Sequence, residues 1–429
     1  MSDATFVRTM EAPRRPPPAS TVGALGWARA NLFGGVWATI LTLGSIALVV
    51  WLVPGLVRFL LIDAVWQAPD GVACRAAGTG ACWAFVAAKL DFFRYGSYPL
   101  DERWRVDLTI MLGAVLMGGL LWPPEARARL RATLFYVLGV PVAALILAPG
   151  LGDVRLAPRA DLTLLAGGIV IAAALWLGRV RQTRIALLFF IAYPIVAFFL
   201  LHGSTTLGLR IVDTNLWGGL FVTLLISVVG IVTALPLGVL LALGRRSPLP
   251  LVRASATLFI EVVRGVPLIT VLFMANFMLP LFVSENLTPD RLVRPLVGVA
   301  LFTAAYMAES VRAGLQALPK GQYEGAMALG LSYWRMMRLV VLPQALVMVI
   351  PNIVNSCISL FKDTTLVAIV GIFDFLRAID SARLDPAWAG PTITATGYIF
   401  AASFYWVFCF GMSRYSLAME RRLAAGRRR

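Results

Sequence analysis

Long apolar runs separated by short, basic turns dominate the chain. A helix needs about 20 mostly apolar residues to cross a bilayer. Ten windows approach that length, at residues 36–57, 108–122, 133–149, 162–178, 185–201, 216–244, 266–283, 295–310, 339–361 and 393–413. The second is the weakest, squeezed between Asp107 and Pro123, so eight spans is the competing count. The pattern predicts an all-α integral membrane protein of about ten transmembrane helices.

Composition agrees. Of 429 residues 59% are hydrophobic and 14% charged, with mean hydropathy +0.81, whereas soluble chains are about 25% charged. A cytosolic enzyme and a disordered chain are both excluded. The net charge of +16 would suggest nucleic acid on a soluble protein, but its distribution argues for topology. Segments that are interior when the N-terminus starts inside hold 24 basic and seven acidic residues; exterior segments hold 14 and 15. Excess Lys and Arg orient membrane helices toward the cytoplasm, which predicts a multi-pass protein of the bacterial inner membrane with both termini cytoplasmic and no nucleic-acid partner.

Residues 1–34, with Arg14, Arg15 and Pro16 to Pro18, read as a cytoplasmic tail followed by an uncleaved anchor, because the first apolar stretch is too long for a signal peptide and no small-residue cleavage site follows a short core. The sizeable exterior loop is 63–107. It carries Cys74 and Cys82, eight positions apart, in a compartment that permits disulfides; bridged and free forms are both open. Cys357 and Cys409 fall in apolar windows as packing residues, and the single histidine, His202, reads as interfacial. No HExxH or CxxC occurs, so no metal site is expected, and Lys89, Lys320 and Lys362 stand outside any phosphate loop. The chain therefore has no ATPase site of its own.

Ionisable groups within a span cost about 2.5–3.5 kcal/mol at a helix centre on insertion scales, and after residue 210 they recur. The strongest local signal is Glu324, Gly325, Ala326, Gly330, Val340, Leu342 and Pro343. Tyr323–Leu329 predicts a short helix ended by Gly330, which can take the left-handed conformation. Ser332 is placed to cap the next helix through its hydroxyl, and Pro343 to kink it. The product is a two-helix elbow facing the cytoplasm.

This elbow resembles the E-A-A-x3-G-x9-I-x-L-P signature of ABC importer permeases with matching spacing, departing at Gly325 for Ala and Val340 for Ile. Gly218-Gly219-Leu220 with Thr223 and Ser227, Leu243-Gly244-Arg245-Arg246-Ser247, Glu261-x-x-Arg264-Gly265-x-Pro267, Ala308-Glu309-x-x-Arg312, Leu318-Pro319-Lys320-Gly321-Gln322 and Lys362-Asp363-Thr364-Thr365-Leu366 resemble the permeases of polar-amino-acid importers. The long extension before this core resembles the larger, M-type permease of general L-amino-acid importers. The resemblance implies a type I importer core over 211–420 with a coupling loop at 319–343, after an extension of about five spans over 35–210 and before a basic tail over 421–429. It also implies ATPase subunits carrying ATP and magnesium, a second permease chain (related or identical), a periplasmic amino-acid-binding protein and an amino acid substrate. No cofactor is expected on this chain.

The other polar residues have readings of their own. Glu261 and Arg264, like Glu309 and Arg312, stand three apart and can pair on a helix; interfacial anchoring and a gating or lever role are both open. Asn352, Asn355, Ser356, Ser359 and Asp363 fall along one helical stripe, which must face protein or a watery pathway. Lys362 and Asp363, with Thr364 and Thr365 beyond, supply both charges that a zwitterion needs, or else simply pair with each other. The rival to an ABC permease is an ion-coupled secondary amino acid transporter, which calls for inverted repeats that the sequence does not present. A membrane scaffold that transports nothing is the third reading.

Overall fold

The computed structural model describes residues 23–121, 192–284 and 287–427. The expected spans at 133–149 and 162–178, and the first part of 185–201, lie outside the described residues. The chain divides into two compact units, Met1–Ala64 with Gly78–Ala81, and Val65–Ala77 with Cys82–Arg429.

In the first unit, α1 (Gly23–Asn31) precedes α2 (Val36–Ile62). Helix α2 is apolar on every side and none of its residues is buried. A helix apolar all round is stable only where its surroundings are apolar, so lipid is its solvent. Its last turn, Arg58–Ile62, is a π turn, and the Ala81 and Asp63 amides donate to the Phe59 and Arg58 carbonyls at 2.8 Å each.

The second unit begins with three helices, α3 (Gly71–Ala77), α4 (Trp83–Tyr95) and α5 (Arg103–Leu121). The last starts five residues before its apolar window, where polar side chains find partners within the protein: Arg105 is buried against Glu102 at 2.7 Å and Asp107 accepts from the Tyr95 hydroxyl at 2.7 Å. After α6 (Tyr193–His202) come α7 (Gly219–Arg245), α8 (Pro250–Gly265), α9 (Leu268–Phe282), α10 (Val293–Ala317), α11 (Lys320–Ala328), α12 (Tyr333–Val370), α13 (Phe375–Ala382) and α14 (Ile393–Arg427). A two-residue strand, β1 (Phe373–Asp374), pairs in parallel with Gly218 and Gly219. Among the described residues five helices are long and apolar enough to cross a membrane: α2, α7, α10, α12 and α14. Helices α8 and α9 meet at 107°, where Val266 and Pro267 are extended and proline has removed a backbone donor.

The core forms where small residues let helices approach closely. Helix α7 lies along α10, with Ala234, Ala304, Ala308 and Met307 fully buried. A methyl group on Gly238 would stand 2.8 Å from Met307 Cβ and 3.0 Å from the Ala304 carbonyl oxygen, so only glycine fits. Lipid offers no hydrophobic driving force between helices, and this kind of close packing takes its place.

Residues 65–77 and 82–107 are knitted into the second unit rather than hanging from it. Cys74 and Cys82 are bridged. The Cys82 amide donates to Thr396 Oγ1 at 3.0 Å, Lys89 pairs with Asp385, and Arg75 donates to the Ala389 carbonyl. Phe85 and Phe93 pack on Trp388 and Phe400, while Tyr98 donates to the Leu201 carbonyl at 2.7 Å. We refer to this region as the collar.

Candidate functional site

The elbow forms a short helix ended at Gly330, starting at Lys320 rather than Tyr323. Helix α11 closes in a Schellman turn: the Leu331 amide donates to the Ala326 carbonyl at 3.2 Å and the Gly330 amide to Met327 at 2.9 Å, with Gly330 at φ +73°. Ser332 has the extended backbone of an N-cap, but its hydroxyl makes no capping bond. The first intrahelical bond of α12 runs from the Met336 amide to the Ser332 carbonyl at 2.8 Å. Beyond it, Met337–Val341 is a π turn ending where Pro343 lacks an amide.

One side of the elbow is anchored. Ala326, Met336, Met337 and Val341 are buried in a cluster with Leu243, Ile260, Val311 and Leu315. Two polar ties reinforce it. Tyr323 donates its hydroxyl to the Leu315 carbonyl at 3.0 Å and accepts from Arg246 Nη1 at 3.1 Å, under the Arg246 guanidinium; Gln344 donates to Gln322 at 2.9 Å. The opposite side is bare. Glu324 and Gly325 are exposed, and Met327, Leu329 and Trp334 are large apolar side chains exposed by 57%, 81% and 68%.

The ion pairs differ from their expected arrangement. Glu309 and Arg312 pair within α10, Arg312 Nε donating at 2.9 Å. Glu261 does not pair with Arg264, three residues away. It binds Arg245 at the end of α7 at 2.8 Å, while Arg264 approaches Glu309 at 3.9 Å and lies over the Tyr306 ring. Arg245 also reaches Glu309 at 3.4 Å. Tertiary approach of α7, which sequence spacing cannot express, gives each glutamate a partner on another helix. One five-membered cluster therefore ties together the C-terminal ends of α7, α8 and α10.

On α12, Asn352, Asn355, Ser359 and Lys362 are exposed at steps of three, four and three, with Ser356 and Asp363 half-buried beside them. Lys362 rather than Asp363 thus completes the open stripe. Lys362 and Asp363 form no ion pair within 4 Å among the described residues, and neither do Asn352, Asn355 and Ser359 send a side-chain hydrogen bond to another helix. Thr365 donates to the Lys362 carbonyl at 2.9 Å. Thr364 is buried with its hydroxyl on the Phe361 carbonyl, away from the stripe. A shallow cavity of about 290 Å³ beside Lys362 is lined by Thr365, Leu376, Tyr398 and Tyr405. Among the described residues no group of acidic, His or Cys side chains is arranged to hold a metal.

Residues 234–425 match the model of the binding-protein-dependent transport system inner membrane component family. The chain is 42% identical over 415 residues to the inner membrane amino-acid ABC transporter permease protein YhdY of Escherichia coli K12, covering 97% of both. The chain belongs to the amino-acid ABC transporter permeases. It is also 42% identical over 446 residues, 99% of both chains, to the glutamate/glutamine/aspartate/asparagine transport system permease protein BztC of Rhodobacter capsulatus. The crystal structure of an amino acid ABC transporter with histidines aligns at 29% identity and TM-score 0.42, over 48% of this chain and 92% of that one. As an ABC amino-acid permease the protein is a multi-pass transport subunit of the bacterial inner membrane, and ATPase and binding-protein partners come with the family.

Proposed function

We propose that residues 319–343 are the surface on which a cytoplasmic ATPase subunit docks, and that motion of that subunit drives alternating access for amino acids. The observation that carries this reading is the two-sidedness of the elbow: one face is packed on α7, α8 and α10, while the other offers Met327, Leu329 and Trp334 around Glu324 to solvent. Such a patch is costly in water unless a partner covers it. ATP and magnesium bind on that partner, and both termini of the permease lie on the same, cytoplasmic side, as the distribution of arginine supports. A push on the elbow passes through Tyr323 and Arg246 to α7 and through Gln322 and Gln344 to α12. The Arg245, Glu261, Arg264, Glu309 and Arg312 cluster is the ionic joint that re-forms as α7, α8 and α10 shift.

The stripe of Asn352, Asn355, Ser359 and Lys362, flanked by Ser356, Asp363 and Thr365, lines the substrate pathway. Its side chains stand open on a spanning helix, which lipid would penalise; a second permease chain, identical or related, closes the pathway from the other side. Lys362 receives the substrate carboxylate and Asp363 the ammonium, after an exterior binding protein delivers the amino acid. Glu324→Lys tests the elbow. It should abolish co-purification of the ATPase while leaving helical content unchanged, and ATPase retained at full stoichiometry would refute the assignment.

A further inference from the structure

The outer end of α12 is held by a side chain that none of the preceding roles uses. Helix α9 contains a π turn, Met274–Met278, and such turns are rare and concentrate at functional sites. At its centre Asn276 is 5% exposed. Its Nδ2 donates to the Val370 carbonyl, the last of α12, at 3.1 Å. Its Oδ1 is buried with no hydrogen-bond partner among the described residues. Arg291, just before α10, donates to the Gly371 carbonyl at 3.1 Å and to Val370 at 3.4 Å, and Arg294 donates to the Asn276 carbonyl at 3.1 Å. Three elements, α9, α10 and α12, thus meet in one polar knot. Apolar contacts beneath it, Leu268 and Leu272 with Val367 and Val370, are non-directional and tolerate sliding. The amide bond does not.

Two features mark the knot as one that opens. A buried acceptor left unpaired favours any conformation that brings it a donor, so Asn276 is only half satisfied where it stands. A π turn holds one residue more than an α turn, and moving that residue along the helix rotates the intervening turn by about 100°, enough to carry the amide away from Val370.

We propose that Asn276 is a positioning residue for transport, whose amide latches the outer end of α12 to α9 in this conformation and releases it when the stripe changes the side to which it opens. The inference rests on the alternating-access reading and adds to it the fastening at the outer end. The test uses the complete transporter in proteoliposomes, with its ATPase and binding protein. Spin labels at Phe277→Cys and Ile369→Cys, both on exposed side chains, report the distance between α9 and α12 with and without nucleotide trapping. Asn276→Leu should shift the nucleotide-free distances toward the trapped ones and raise ATP hydrolysis without binding protein by about five-fold, the scale of one neutral hydrogen bond, lowering the stimulation ratio. Asn276→Asp, which keeps the acceptors and loses the donor, should shift both in the same direction and carries the test if the leucine variant does not assemble. Unchanged distances and stimulation ratio in the substituted transporter overturn the latch. If Glu324→Lys still releases the ATPase in that case, the coupling reading stands without it.

Discussion

Asp374→Asn isolates the energetic consequence of a buried carboxyl at the start of α13. Asp374 is fully buried, and its carboxylate accepts the Leu376 and Arg377 amides at 3.1 and 3.0 Å. Burial pushes its carboxyl from 3.8 up to about 6, only partly opposed by those bonds. The folded state then holds a proton that the unfolded state has released, so this group's contribution falls as pH rises from 3.8 through 6 and is flat above. That gap corresponds to about 3 kcal/mol at 1.36 kcal/mol per pH unit. Asparagine carries no such charge and is an equally good N-cap, but its amide replaces one of two acceptors, at about 1 kcal/mol. The variant should therefore be less stable than the parent by about 1 kcal/mol near pH 4 and more stable by about 2 kcal/mol at pH 8. Thermal unfolding of both purified proteins between pH 4 and 8 measures this. A difference between them that does not change with pH would refute the reasoning, because the proposed cause acts on protonation alone.

The packing of α7 on α10 predicts that Gly238→Leu destabilises the protein by more than the 1–3 kcal/mol typical of overpacking, seen as a lower unfolding temperature, since even a methyl group would meet Met307 at 2.8 Å. Asn355→Leu and Asp363→Asn should each depress uptake while the ATPase still co-purifies; unchanged transport kinetics in both would remove the pathway assignment. Cys74→Ser should weaken the collar by about 2–3 kcal/mol, the loop-closure value for so short a ring, measured as faster proteolysis between Val65 and Trp83.

Apolar windows such as 216–244 and 393–413 were legible because some 20 side chains agree on one environment, and no tertiary contact can override that. The elbow was legible because it contains its own breakers, Gly330 and Pro343, whose backbone restrictions act locally. Partner choice was not. Spacing suggests that Glu261 should bind Arg264, but Arg245 arrives from another helix and wins with better geometry. Ser332 has the backbone of an N-cap without its hydroxyl bond, and nothing in the structure explains that. Lys362 was recognised, yet the face it shares with Asn352, Asn355 and Ser359 follows from the 3-4-3 spacing, which the eye passes over when Asp363 offers a carboxylate. The collar was legible only as a sizeable loop with two cysteines, because contacts such as Tyr98 with Leu201 and Cys82 with Thr396 join positions 103 and 314 apart.

Those distant contacts constrain how the molecule is born. The Cys82 amide finds Thr396 across 314 residues, and Lys89 finds Asp385 across 296, so nearly the whole polypeptide must leave the ribosome before this part of the collar can close, although Tyr98 meets Leu201 and Phe221 earlier. Until α14 has been threaded into the bilayer, Phe85, Phe93 and their neighbours wait in water as an uncovered greasy surface. A nascent chain stalled before residue 385 should accordingly be a preferred substrate for exterior chaperones and proteases, and a gene trimmed at its 3′ end should yield a product cleared from the membrane rather than a smaller working pore.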